Sequence, residues 1–255
     1  MRGDTLATGL LAVASLLPAV GVVAFGWGAT AVAVAYSAEL TTLVWSYVLV
    51  GLFAQQPNAI DERERMEVPL LPIPKLLPLP ERVDLPLLPS VRTKNVHVVG
   101  VSAVFLSLIT ATLGAMMTDN FTDDPTGGVR NPVDIHGFLS DAATVIGDTT
   151  VTVLVAGVVL AQIAVVYRWY GLGDSELSAY VVMQRLGRIV VGYGVYGVVW
   201  YAVGVLSSVV LPVGTLPLSV VGFSLVKVEL ERRRVVGESE TPTGGPGAWL
   251  VPVDR

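Results

Sequence analysis

Residues 5–53 read TLATGLLAVASLLPAVGVVAFGWGATAVAVAYSAELTTLVWSYVLVGLF and contain a single charge, Glu39. A helix needs roughly 20 apolar residues to cross the hydrocarbon of a bilayer, so this stretch holds two spans, 5–25 and 28–53. Gly26-Trp27-Gly28 supplies the turn between them, with Trp27 suited to the lipid–water boundary. The first run exceeds the roughly 7–15 apolar residues of a secretory signal and flows straight into the next, which predicts a retained helix. Pro18 inside it is tolerable, because neighbouring helices in a membrane can satisfy the backbone groups it frees.

The same texture continues along the 255 residues, of which 53% are hydrophobic and 15% charged, with a mean hydropathy of +0.66. Soluble domains carry about 25% charged residues. Further uncharged runs predict spans at 96–117 and 142–166. The stretch from Ile189 to Val226 is too long for one span, and Pro212, Gly214 and Pro217 divide it into spans at 189–211 and 216–228. The fold class is therefore all-α, a transmembrane domain over 1–236 built as a bundle of about six helices. A proline-rich loop occupies 55–95, with seven of the sixteen prolines between Val68 and Pro89. Density of that kind forbids a continuous helix and favours a stiff, extended connector along the membrane surface over a PxxP recognition motif. The tail 237–255, rich in glycine, proline and polar residues, reads as disordered.

With six spans the connecting segments alternate between two sides, and every basic residue except Arg130 falls on one of them. Lysine and arginine accumulate on the cytoplasmic side, which places both termini in the cytoplasm of a multi-pass protein of the cell membrane. The opposite loop holds Asp119, Asp123, Asp124, Asp134 and Asp141. Small residues at steps of three and four mark faces for helix–helix packing: Thr8, Ala12, Ser15 and Ala19 in the first span, Gly100, Ala103, Ser107, Thr110 and Gly114 in the third, and Gly147, Thr150, Gly157, Ala161 and Ala164 in the fourth. Tyr193, Tyr196 and Trp200 form a stripe on the fifth, read as packing.

Cysteine is absent, which excludes disulfides, cysteine nucleophiles and thiolate metal sites. A net charge of −5 and the lack of a basic, aromatic-laced stripe exclude nucleic acid as a partner. No cofactor or metal site is expected. Asp134, His136 and Asp141 cluster in the outer loop, but a metal site needs three or four well-placed ligands and nothing in the spacing fixes them. Asn120-Phe121-Thr122 matches a glycosylation sequon too close to the membrane for use.

Glu39 is the most informative residue. It lies near mid-span, where a carboxylate costs on the order of 2.5–3.5 kcal/mol on insertion scales. No span supplies a lysine or arginine at the same depth, so the expected partners are Tyr36 and Thr42 on its own helix face. Asp148 reads as a solvated carboxylate at a helix end. Lys227 and Glu229 read as the inner end of the last span, with the lysine snorkelling to the headgroups.

Gly26-Trp27 with Tyr36-x-x-Glu39, Ile73-Pro74-Lys75 with Arg92-x-Lys94-Asn95, and MQRLGRIVV (183–191) with Lys227-x-Glu229 together resemble a family of uncharacterised multi-pass membrane proteins of halophilic archaea, a domain of unknown function. The resemblance spans most of the chain. It implies a membrane topology and interest in Glu39, and no activity.

No nucleophile–base pair, phosphate loop or metal motif occurs, which predicts a non-enzymatic membrane protein in a structural or accessory role. The alternative is a small proton-linked transporter with Glu39 as its protonatable site. The candidate residues are Glu39 and Tyr36, then Asp148 and His136. The lipid bilayer is the expected partner, and a homo-oligomer or a membrane-protein partner stays open.

Overall fold

The computed structural model describes residues 2–56, 82–86, 88–119, 135–170, 177–210 and 215–239. Among these the chain is mostly helical: α1 (Arg2–Phe25), α2 (Ala29–Leu52), a hairpin of β1 (Arg82–Leu85) and β2 (Leu88–Arg92), then α3 (Thr93–Asp119), α4 (Ile135–Ile146), α5 (Thr149–Tyr170), α6 (Ala179–Val210) and α7 (Thr215–Ser239). Four helices contain stretches long and apolar enough to cross a membrane, Thr5–Phe25, Ala29–Leu52, Thr93–Ala115 and Thr149–Arg168.

The centre of the molecule is α2, which packs against α1, α3, α4, α5 and α6. Alanines at positions 29, 31, 33 and 35 let neighbouring backbones approach closely, and Ala31 through Tyr36 are buried without a break. No face of that stretch reaches the surface. Long helices alternate in direction around it. The end of α1 and the starts of α2, α5 and α7 share one apolar cluster, including Val22, Trp27, Val32, Val151 and Val220. At the opposite end, the close of α2, the start of α3, the close of α5 and the start of α6 share another, including Tyr47, Val99, Val166 and Met183.

The turn at the Trp27 end depends on glycine twice. Gly26 has φ +67°, a left-handed conformation that costs a side chain-bearing residue. A Cβ on Gly21 would lie 2.3 Å from the Trp27 ring, so the indole folds back into space that only glycine leaves open. Its backbone N–H donates to Gly21 O at 3.1 Å. The opposite end is fastened by amides. Asn95, fully buried, donates through Nδ2 to Leu52 O at 3.2 Å and Ala54 O at 2.8 Å, serving carbonyls left over where α2 ends. Gln55 Nε2 donates to Phe53 O and, across to the hairpin, to Ser90 O. Asn95→Ala strips one buried and one part-buried carbonyl of their donor and should cost about 1–3 kcal/mol of stability, read as a lowered unfolding midpoint in micelles.

Large apolar side chains are exposed while several charged ones are enclosed. Val23, Val104 and Leu160 are 69%, 72% and 65% exposed. The charged side chains of Glu39, Arg185, Arg188, Lys227 and Glu231 are buried. Exposed apolar side chains in such number mark an interaction surface.

Several boundaries differ from the sequence expectation. The run 142–166 is two helices, because Gly147 and Asp148 break it; α4 therefore claims residues 135–141, expected as loop, and the membrane-length stretch begins at Thr149. Helix α6 starts ten residues before Ile189, and α7 continues beyond Val228 to Ser239, since glutamate and arginine are good helix formers outside lipid as well. Arg82–Leu85 and Leu88–Arg92 pair as antiparallel strands, Val83 opposite Val91. The proline-rich stretch 57–81, the sequon at Asn120, Asp134, the Pro212–Gly214 break and residues 240–255 lie outside the described residues, as do the side chains of Tyr196 and Trp200. The small-residue faces are used unevenly. Gly114 lies against Ser37 and Phe138, and Gly157 against Leu17, while Gly100 faces open space.

Candidate functional site

Mid-length residues of five helices meet in one polar network. Glu39 on α2 forms a close ion pair with Lys227 on α7, the two residues only 3% and 4% exposed. The ammonium also donates to Ser15 Oγ on α1 at 3.1 Å. Gln162 on α5, 1% exposed, donates through Nε2 to Glu39 Oε1 at 2.7 Å and to Glu231 Oε1 on α7 at 3.4 Å. Tyr193 on α6 donates its hydroxyl to the same Glu231 oxygen. Glu39 Oε2 has no hydrogen-bond partner among the described residues.

This corrects the expectation for Glu39. A lysine does lie at its depth, because α7 does not end at Val228: Lys227 falls in the middle of the helix and points inward, not out toward headgroups. The heptad-like stripe Val220, Ser224, Lys227 and Glu231, spaced four, three and four, is buried throughout, so a single face of α7 carries both charges into the bundle. Glu229, off that face, forms an exposed pair with Arg232 at 2.7 Å.

Tyr36 is a neighbour of the network and does not bind Glu39. Its hydroxyl is hydrogen-bonded to Ser224 Oγ on α7 at 2.9 Å, and its ring meets Phe223 edge-on with centroids 4.9 Å apart. Thr42 turns back onto its own helix, donating to Ala38 O at 2.7 Å. Tyr36 and Glu39 thus bridge α2 to α7 at two successive levels.

Asp148 stands apart, exposed at the start of α5. Its Oδ1 accepts from the Thr150 hydroxyl, from Thr150 N at 2.7 Å and from Val151 N at 3.3 Å, an N-cap arrangement. These bonds, the Thr150 hydroxyl foremost, hold its carboxyl below the ordinary value of 3.8. A lowered folded-state pKa means the cap stabilises fully above that ordinary value and weakens as pH falls through the lowered one. Asp148→Ala should speed amide exchange in the first turn of α5 at neutral pH, and strong acid should do the same to the unmodified chain. His136 and Asp141 lie exposed on α4. Their suggested third ligand, Asp134, is outside the described residues. Among the described residues no group of three acidic, histidine or cysteine side chains is placed to hold a metal.

Comparisons of the chain with protein-family models, with curated proteins and with solved structures return no match. The reading therefore rests on the geometry. Four members of the network, Ser15, Gln162, Tyr193 and Glu231, were not expected from sequence as polar partners, Tyr193 having read as packing. Gln162 is the one amide in the run 149–166, and Glu231 shares a helix face with Lys227 at i, i+4. Both are signals that sequence carries. Ser15 looked like one more small packing residue, and nothing in its surroundings distinguishes it.

Proposed function

We propose that this chain is a six-span integral membrane protein, formed by α1, α2, α3, α5, α6 and α7, with both termini in the cytoplasm and a structural or accessory role. Four helices of membrane-crossing length, the alternating helix directions and the apolar exterior support the bilayer as partner. With that order every basic residue except Arg130 and the mid-helix Lys227 belongs to the Asn95 end or to segments leading toward it, which by charge bias faces the cytoplasm. The resemblance to haloarchaeal membrane proteins is a proposal of kinship and adds no activity.

The buried Glu39–Lys227 pair carries the structural reading. Both partners are enclosed, and the groups that contact them, Ser15 and Gln162, come from two further helices. Separate insertion of each charge costs on the order of 2.5–3.5 kcal/mol, so the two are tolerable only together. Such a pair adds little net stability but fixes which helices meet and in what register. A second reading, proton-linked transport, is favoured by one observation: Gln162 joins a second carboxylate, Glu231, to the first, so protonating either alters the whole network. Purified protein in vesicles loaded with a pH-sensitive dye, under an imposed potential, separates the two. The structural role predicts proton entry equal to that of protein-free vesicles. Entry that exceeds this background and vanishes in Glu39→Gln would favour transport and overturn the structural role.

A further inference from the structure

Helix α4 has three faces, and among the described residues only one of them is accounted for by the protein. Phe138, Ala142 and Val145, spaced four and three, turn inward: Phe138 is buried against Ala33 and Val34 of α2 and Ala115 of α3, with Ala142 beside it, and Val145 packs on the cluster around Trp27. Leu139, Ala143 and Ile146 repeat that spacing one residue on, and all three are exposed, Leu139 by 58% and Ile146 by 50%. His136, Ser140 and Thr144 take the next face, also exposed, with Asp141 alongside. At 3.6 residues per turn, about 100° per residue, the inward, apolar and polar faces lie roughly a third of a turn apart.

Position adds the second argument. α4 rests against the start of α2 and the close of α3. After two intervening residues α5 begins, the junction closed by Gly147 N to Thr144 O at 3.1 Å and Asp148 N to Val145 O at 3.0 Å. Three membrane-length helices therefore terminate beside it. A helix held at that level with an exposed apolar stripe next to an exposed polar one has the form of an interfacial helix.

We infer that α4 lies in the interfacial layer of the bilayer, with Leu139, Ala143 and Ile146 among the acyl chains and His136, Ser140 and Asp141 toward water. The inference rests on the membrane reading above and extends it to a lipid-binding surface. The polar face carries an acid and no lysine or arginine, so the lipid it suits has a zwitterionic headgroup.

The natural absence of cysteine allows single-probe tests on the full chain. Leu139→Cys, Ile146→Cys, Ser140→Cys and Leu160→Cys each receive an environment-sensitive fluorophore in phosphatidylcholine vesicles, quenched by acyl-brominated lipid or by aqueous iodide. Leu160, outward on α5, reports the membrane reading by itself. Expected is bromolipid quenching at 139 and 146 comparable to that at 160, with iodide reaching only 140. Iodide quenching at 139 and 146 while 160 responds to bromolipid would overturn the inference and leave the spans intact. Shielding of 139 and 146 from both quenchers would overturn it in favour of a second protein surface covering the stripe. Iodide quenching at 160 would remove the membrane reading and the inference with it.

Discussion

Lys227→Met is expected to lower the unfolding free energy by about 3–5 kcal/mol, the cost of leaving one member of a buried ion pair uncompensated. Methionine matches the lysine stem in length, so packing changes little and the loss reports the charge. Glu39 keeps its 2.7 Å bond from Gln162, but one amide donor does not replace an ammonium. Steric trapping or chemical denaturation in micelles measures the change. A loss under about 1 kcal/mol, the level of an exposed pair, would mean that water reaches Glu39 and that the pair is not enclosed.

Adding Glu39→Leu to Lys227→Met is expected to return most of that stability, because a buried ion pair replaced as a unit by apolar side chains is often neutral or stabilising by about 1–4 kcal/mol. Gln162 retains its bond to Glu231, and the Ser15 hydroxyl can turn to the carbonyl one helical turn back. Measured as a double-mutant cycle, the two substitutions should be strongly non-additive, as contacting residues are. A double variant as unstable as the sum of the two singles would show that Glu39 and Lys227 act separately.

Sequence reading reached the character of the helices because uncharged length is a coarse signal. The stretch Thr5–Leu52 resolved into α1 and α2 with the turn at Gly26–Gly28, since it is too long for one span and the glycines supply the turn. Boundaries were lost where a helix changes solvent without changing conformation. Residues 142–166 hid a break, because Gly147 and Asp148 interrupt a helix that hydropathy alone reads through. The opposite error befell α7, where the charges after Val228 looked like the end of a helix and were its continuation. That mistake displaced Lys227 from mid-helix to the membrane surface and left Glu39 without its cation. Periodicity along α7, counted as a helix and not as a hydropathy run, places Lys227 and Glu231 on the face of Ser224 and Val220. Which helix that face meets is a tertiary fact, carried by close packing of α7 on α1 and by the burial of α2 from Ala31 to Tyr36, and no local pattern encodes it.

The lysines of the chain are Lys75, Lys94 and Lys227, few enough for direct spectroscopy. Solid-state NMR of the protein in lipid bilayers, with nitrogen-15 in lysine and carbon-13 in glutamate, should show one lysine ammonium coupled to a glutamate carboxyl at ion-pair range, about 4 Å or less between nitrogen and oxygen. That coupling should vanish in Lys227→Met and in Glu39→Gln. A Lys227 signal uncoupled from any carboxylate and exchanging freely with water would contradict an enclosed charge pair at the centre of the bundle.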